Sequence, residues 1–176
     1  MPEPGLARTL VEAFVYLDLG GGSQDAVTEE VEDGWMVRLG DVEVLVPRES
    51  EAWAREQDLI FGAGLSELID PGQWVLVATT YARRALEGAL YFAADPSSAE
   101  RFDEVASGWR FAAEAVAEAL KFFPGGEDEL VPDDFWTPAG RSLRESEPHR
   151  LTRRKLEKDL AFYRESLADF RRRHGR

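Results

Sequence analysis

At Pro47 the spacing of apolar residues changes, and that change restricts the fold more than any other feature of the chain. Before it, Val42, Val44 and Val46 alternate with other residues, as do Trp35, Val37 and Leu39. A period of two marks half-buried strands. Val27 and Val31 open a third run, and the dipeptides Asp33-Gly34 and Gly40-Asp41 separate the runs as tight turns. Beyond Pro47 the period is helical to the end. Strands gathered into one block and helices into another predict an α+β fold. Its expected order is an N-terminal helix, a three-stranded antiparallel meander, then a mainly helical bundle with a long C-terminal helix.

The helices have their own signals. Leu6, Leu10, Ala13, Phe14 and Leu17 form an apolar stripe, predicting a first helix over residues 5–18 that stops at Gly20-Gly21-Gly22. A short helix is expected from about Ser50. Asp70-Pro71 supplies a capping residue followed by a proline at the first helical position. The helix starting there is apolar around most of its circumference as far as Asp95-Pro96, as expected of the central helix of a bundle. Ser97 and Glu100 have capping-box spacing for the next helix. In it Phe102, Val105, Trp109, Ala112, Val116 and Leu120 face inward, while Glu104, Arg110, Glu114 and Glu118 face out. After an acidic loop and a short helix at Thr137-Pro138, a last helix begins near Thr152. Its Leu156, Leu160, Tyr163, Leu167 and Phe170 follow heptad spacing. One domain over residues 1–176 is expected, with helix and meander in 1–50, the helical core in 51–146 and the basic helix of 147–176 packed on the body.

Charge is distributed unevenly. The formal net charge is -13, yet residues 137–176 carry 12 Arg or Lys against 6 Asp or Glu, while residues 1–136 carry 9 against 28. The basic end therefore reads as an internal strap, greasy seam down, with its Arg face against the acidic body. The same seam of Leu156, Leu160, Tyr163, Leu167 and Phe170 could instead pair two copies into a homodimer. Nucleic acid is not expected as a partner, because a duplex on the basic helix would have to tolerate the acidic body within a screening length of about 8–10 Å. No apolar run reaches the roughly 20 residues needed to span a membrane. The opening Met-Pro-Glu-Pro-Gly has neither the basic start nor the cleavage site of a secretory leader. Membrane association is thus not expected, and the cytoplasm is the expected compartment. The excess of Arg over Lys suggests a GC-rich, bacterial origin.

With no cysteine, thiolate nucleophiles, disulfides and cysteine metal sites are excluded. The two histidines, His149 and His174, both fall in the basic segment. No catalytic residue, metal site or cofactor is expected, and the acidic loop lacks the ligand spacing of a calcium-binding EF-hand. Two sets of residues remain as candidates. Trp74, Tyr81, Arg83 and Arg84 could bind a small anionic ligand, since a guanidinium near aromatic rings is a favoured anchor for carboxylate or phosphate. Glu29, Glu30 and Glu32 of the meander, with Asp133, Asp134 and Trp136 of the acidic loop, could contact a basic protein. The leading expectation is a non-enzymatic acidic interaction module, an adaptor, chaperone-like or immunity-like protein. The alternative is a small-molecule-binding protein or enzyme with an aromatic and Arg-lined pocket between meander and central helix.

Overall fold

Val37, Val44 and Val46 are fully buried because the alternation puts all three on one sheet face, and the first helix covers that face. The computed structural model describes residues 3–175. It divides into two units, residues 1–70 and 71–176. The first contains β1 (Gly5–Leu6), α1 (Leu10–Leu19), β2 (Val27–Val31), β3 (Gly34–Leu39), β4 (Val42–Pro47) and α2 (Arg48–Glu56). Ala7, Ala13 and Leu17 complete its core with the three valines, and Leu10, Phe14, Trp35 and Leu39 pack around them.

The three expected strands form, with β2 and β4 both antiparallel to β3. The predicted first helix is corrected at its start. Gly5 and Leu6 add to β4 as a short parallel strand, so the sheet is mixed and four-stranded in the order β1-β4-β3-β2. The helix waits until Leu10 because Thr9 caps it: the Thr9 hydroxyl accepts from the Glu12 amide at 3.1 Å. The first turn is also displaced by one residue. Glu32 and Asp33 make it, and Gly34 opens β3 with φ 154°. A Cβ on Gly34 would lie 2.1 Å from the Val46 carbonyl oxygen, a distance only glycine avoids.

The second unit is helical: α3 (Pro71–Ala94), α4 (Ala99–Leu120), α5 (Pro138–Ser146) and α6 (Arg153–Arg173). Helix α4 is capped by Ser98, not Ser97; the Ser98 hydroxyl accepts from the Arg101 amide, while Ser97 donates to Asp95. Glu118, expected outside, is buried and paired with Lys121 at 2.5 Å. Thr137 caps α5 and Thr152 caps α6, each accepting from the backbone amide three residues on. Helices α3 and α5 approach so closely that a Cβ on Gly72 would stand 2.6 Å from the Gly140 Cα.

Helix α6 packs on α3 and α4 through its apolar residues. Leu156 and Phe170 are buried, and Tyr163 and Leu167 close over a cluster of Ala82, Ala85, Phe92, Phe102, Val105 and Trp109. Among the described residues, the Arg face is not seen clasping acids of other elements, and Arg153 reaches instead the Glu127 and Pro124 carbonyls at 2.7 and 2.6 Å. The ion pairs of this face run within the helix, from Arg153 to Glu157 at 3.9 Å, Lys155 to Asp159 at 2.6 Å, and Arg172 to Asp169.

Burial first, and then the Asp159 carboxylate, raise the Tyr163 phenol above its ordinary value of 10.0, outweighing Arg150, which lowers it. The folded chain thus holds this proton more tightly than the unfolded chain. The resulting stability is complete below the unfolded value and is lost as pH climbs through the folded one. Tyr163→Phe should therefore reduce the fall in urea midpoint between about pH 9 and about pH 11. An unchanged alkaline slope would contradict this.

Candidate interaction surface

The charge of the chain is stored in the first unit. Residues 1–70 hold 4 Arg against 16 Asp and Glu, a balance of -12, whereas residues 71–176 hold 17 Arg or Lys against 18 Asp and Glu. All four arginines of the first unit are in ion pairs with its own acids. Arg8 pairs with Glu12, Arg38 with Glu29 and Glu43, Arg48 with Glu30, and Arg55 with Glu51. Exposed Asp25, Glu32, Asp33, Asp41 and Glu49 take no part in these pairs.

Strand β2 concentrates this surface. It is the outermost strand, with β3 on one side only, and four of its five residues are exposed, Val27 at 64%. Successive side chains leave opposite faces, so Glu29 and Glu30 point to different sides of the sheet. On one face Arg38 bridges Glu29 and Glu43, its Nε donating to the Glu43 carboxylate at 2.7 Å. Those hydrogen bonds, Glu43 foremost, raise the Arg38 pKa above its ordinary value. On the other face Arg48 reaches Glu30 at 3.0 Å and lies over the Trp35 ring at 5.0 Å. Glu32 sits exposed in the turn that ends β2.

The acidic loop of the second unit is arranged differently. Asp133 and Trp136 line an open cleft of about 440 Å³ with Phe135, Arg141, Arg144 and Glu145. Both arginines also serve the loop: Arg141 Nε donates to the Phe135 carbonyl at 3.0 Å, and Arg144 lies over the Phe135 ring at 5.9 Å. Phe135 anchors the loop in the core, while Trp136 rests on Phe122 and stays 38% exposed. Asp134 has a local task, its carboxylate accepting from the Val131 amide at 3.0 Å.

The residues proposed for an anionic ligand occupy unlike environments on α3. Trp74 is fully buried, Tyr81 is half-buried against Phe111 at 4.9 Å, and Arg83 and Arg84 are exposed, with Arg84 over the Tyr81 ring at 5.4 Å. His174 packs between Phe92 and Phe170, at 4.6 and 4.7 Å. Sequence patterns identified the acids of β2 but not Arg38 and Arg48, whose partners depend on strand register. Alternating Arg38 and Glu43 on either side of a Gly40-Asp41 turn was the available signal. Among the described residues no helix is long and apolar enough to cross a membrane. No family model, curated protein or solved structure matches this chain.

Proposed function

We propose that this chain is a non-enzymatic interaction module whose acidic first unit engages a basic protein. The observation that supports it is the balance of -12 within residues 1–70 beside near neutrality in the rest. A charge confined to one unit makes a directional field, which speeds encounter with basic partners and repels polyanions. The internal arginines do not cancel it. They are spent on Glu12, Glu29, Glu30, Glu43 and Glu51, and the acids at Asp25, Glu32, Asp33, Asp41 and Glu49 stay exposed.

The test is capture of partners from a lysate of the source organism at physiological salt. It compares the natural chain with a variant in which those five exposed acids become Asn or Gln. A stoichiometric partner rich in Lys and Arg should be retained by the natural chain and lost by the variant. Equal recovery on both, or no stoichiometric partner on either, would overturn the proposal.

A further inference from the structure

We infer that β2 receives an extended basic segment of the partner as a fifth strand of the sheet. This rests on the proposed function and specifies the surface it uses. The primary observation is an open edge. Among the described residues, sheet order leaves the outer side of β2 without a strand, whereas the opposite edge is only the two residues of β1. Val31 and Gly34 flank a two-residue turn and pair directly, so alternate residues Val31, Glu29 and Val27 direct both backbone groups toward β3. The N–H and C=O of Thr28 and Glu30 therefore face outward.

Charge selects the occupant. Glu29 and Glu30 lie on the strand, and Asp25, Glu32 and Asp33 stand at its two ends, all exposed. A second copy brought edge to edge would set these acids against their own kind, so the device that blocks self-pairing admits a basic strand. Nothing on β2 prevents pairing from the backbone side, since the stretch VTEEV contains neither proline nor lysine. In such additions backbone hydrogen bonds supply affinity, while alternate side chains supply specificity. A lysine opposite Glu30 would enter the site where Arg48 now lies over Trp35.

The probe is a fluorescent eight-residue peptide alternating Lys with Val or Thr, titrated against the full chain. A second peptide of the same sequence is N-methylated at every other backbone nitrogen, which keeps the charge but removes the donors of one edge. The unmodified peptide should bind, with the Thr28 and Glu30 amides newly protected from hydrogen exchange. The methylated peptide should bind at least tenfold more weakly. Thr28→Pro removes an outward donor without touching the ladder to β3 and should also weaken binding at least tenfold, provided the Val27, Glu29 and Val31 amides stay protected. Equal binding of the two peptides would overturn strand addition while leaving charge-driven partner binding intact. Unchanged exchange at Thr28 and Glu30 under saturating peptide, or no binding by the unmodified peptide, would overturn it as well. Failure of the lysate capture instead removes the proposed function itself.

Discussion

Phe170→Ala is expected to destabilise the helical unit by about 3–5 kcal/mol, the usual cost of emptying a buried phenylalanine site. The ring is held on three sides. It stacks on Phe102 at 5.0 Å with 27° between planes, meets Phe92 edge-on at 5.4 Å, and carries His174 at 4.7 Å. Below them lie Ala85, Val105 and Ala106, all buried residues of the same cluster. None is a long side chain able to swing into the space, which places the expected loss within the full range. Phe162→Ala is the internal control. That ring is 58% exposed and meets Tyr163 at 5.9 Å and Trp109 at 6.3 Å, so its loss should cost under about 1 kcal/mol. Urea unfolding followed by circular dichroism gives both values, and amide exchange along α6 locates the damage. Because the contacts lie within one chain, the loss should not depend on protein concentration. A midpoint that moved with concentration would show that the seam joins two copies, and equal losses for the two variants would show that α6 does not dock on this face.

What the sequence could disclose follows a physical division. Periodicity reports which side chains of one element share a face, and it correctly identified β2, β3, β4 and the heptad seam of α6. Local capping chemistry was equally legible at Thr137 and Thr152, since a cap depends on the next three residues alone. Strand β1 carries no such signal. Two residues cannot show a period, and Gly5 and Leu6 are extended only because β4 offers Val44 and Leu45 as parallel neighbours. The acidic edge was legible in part: a three-stranded meander already leaves its first strand, with Glu29 and Glu30, at one edge, and what the sequence did not show is that β1 adds to β4 on the far side and leaves this edge open. Net charge was legible and its partition was not. Read along the chain, the basic end looks like a counterweight to everything before it. Read by unit, its cations are offset by Glu157, Asp159 and Asp169 of the same helix and by acids of α3–α5, and the surplus is confined to residues 1–70.

Glu12→Ala should cost about 3–5 kcal/mol, the range for breaking a buried ion pair by removing one partner. Glu12 is wholly buried, and its carboxylate accepts from the Arg8 amide at 2.8 Å, from Arg8 Nε at 3.1 Å to each oxygen, and from the Arg8 terminal nitrogen. The Arg8 side chain is itself only 12% exposed and reaches across to the Gly64 carbonyl at 2.6 Å. Thr9 donates to the Ile60 carbonyl at 2.9 Å, and Ser50 donates to the Arg8 carbonyl at 2.8 Å. One five-residue stretch, Arg8-Thr9 with Glu12 a turn later, thereby ties α1, the start of α2 and the loop at residues 60–64 together. Alanine would take the carboxylate from a guanidinium that water reaches poorly. Glu12→Gln keeps an acceptor for the Arg8 amide and should cost clearly less. The Arg8→Ala/Glu12→Ala double variant should cost less than the two single losses combined, because no cation is left behind. Urea midpoints of the four chains close the cycle, and amide exchange should rise in α1 and at residues 60–64 before it rises in β3. A loss under about 1 kcal/mol in Glu12→Ala, the value of a solvent-screened surface pair, would show that water shares this site and that the tie is held by Thr9 and Ser50 alone.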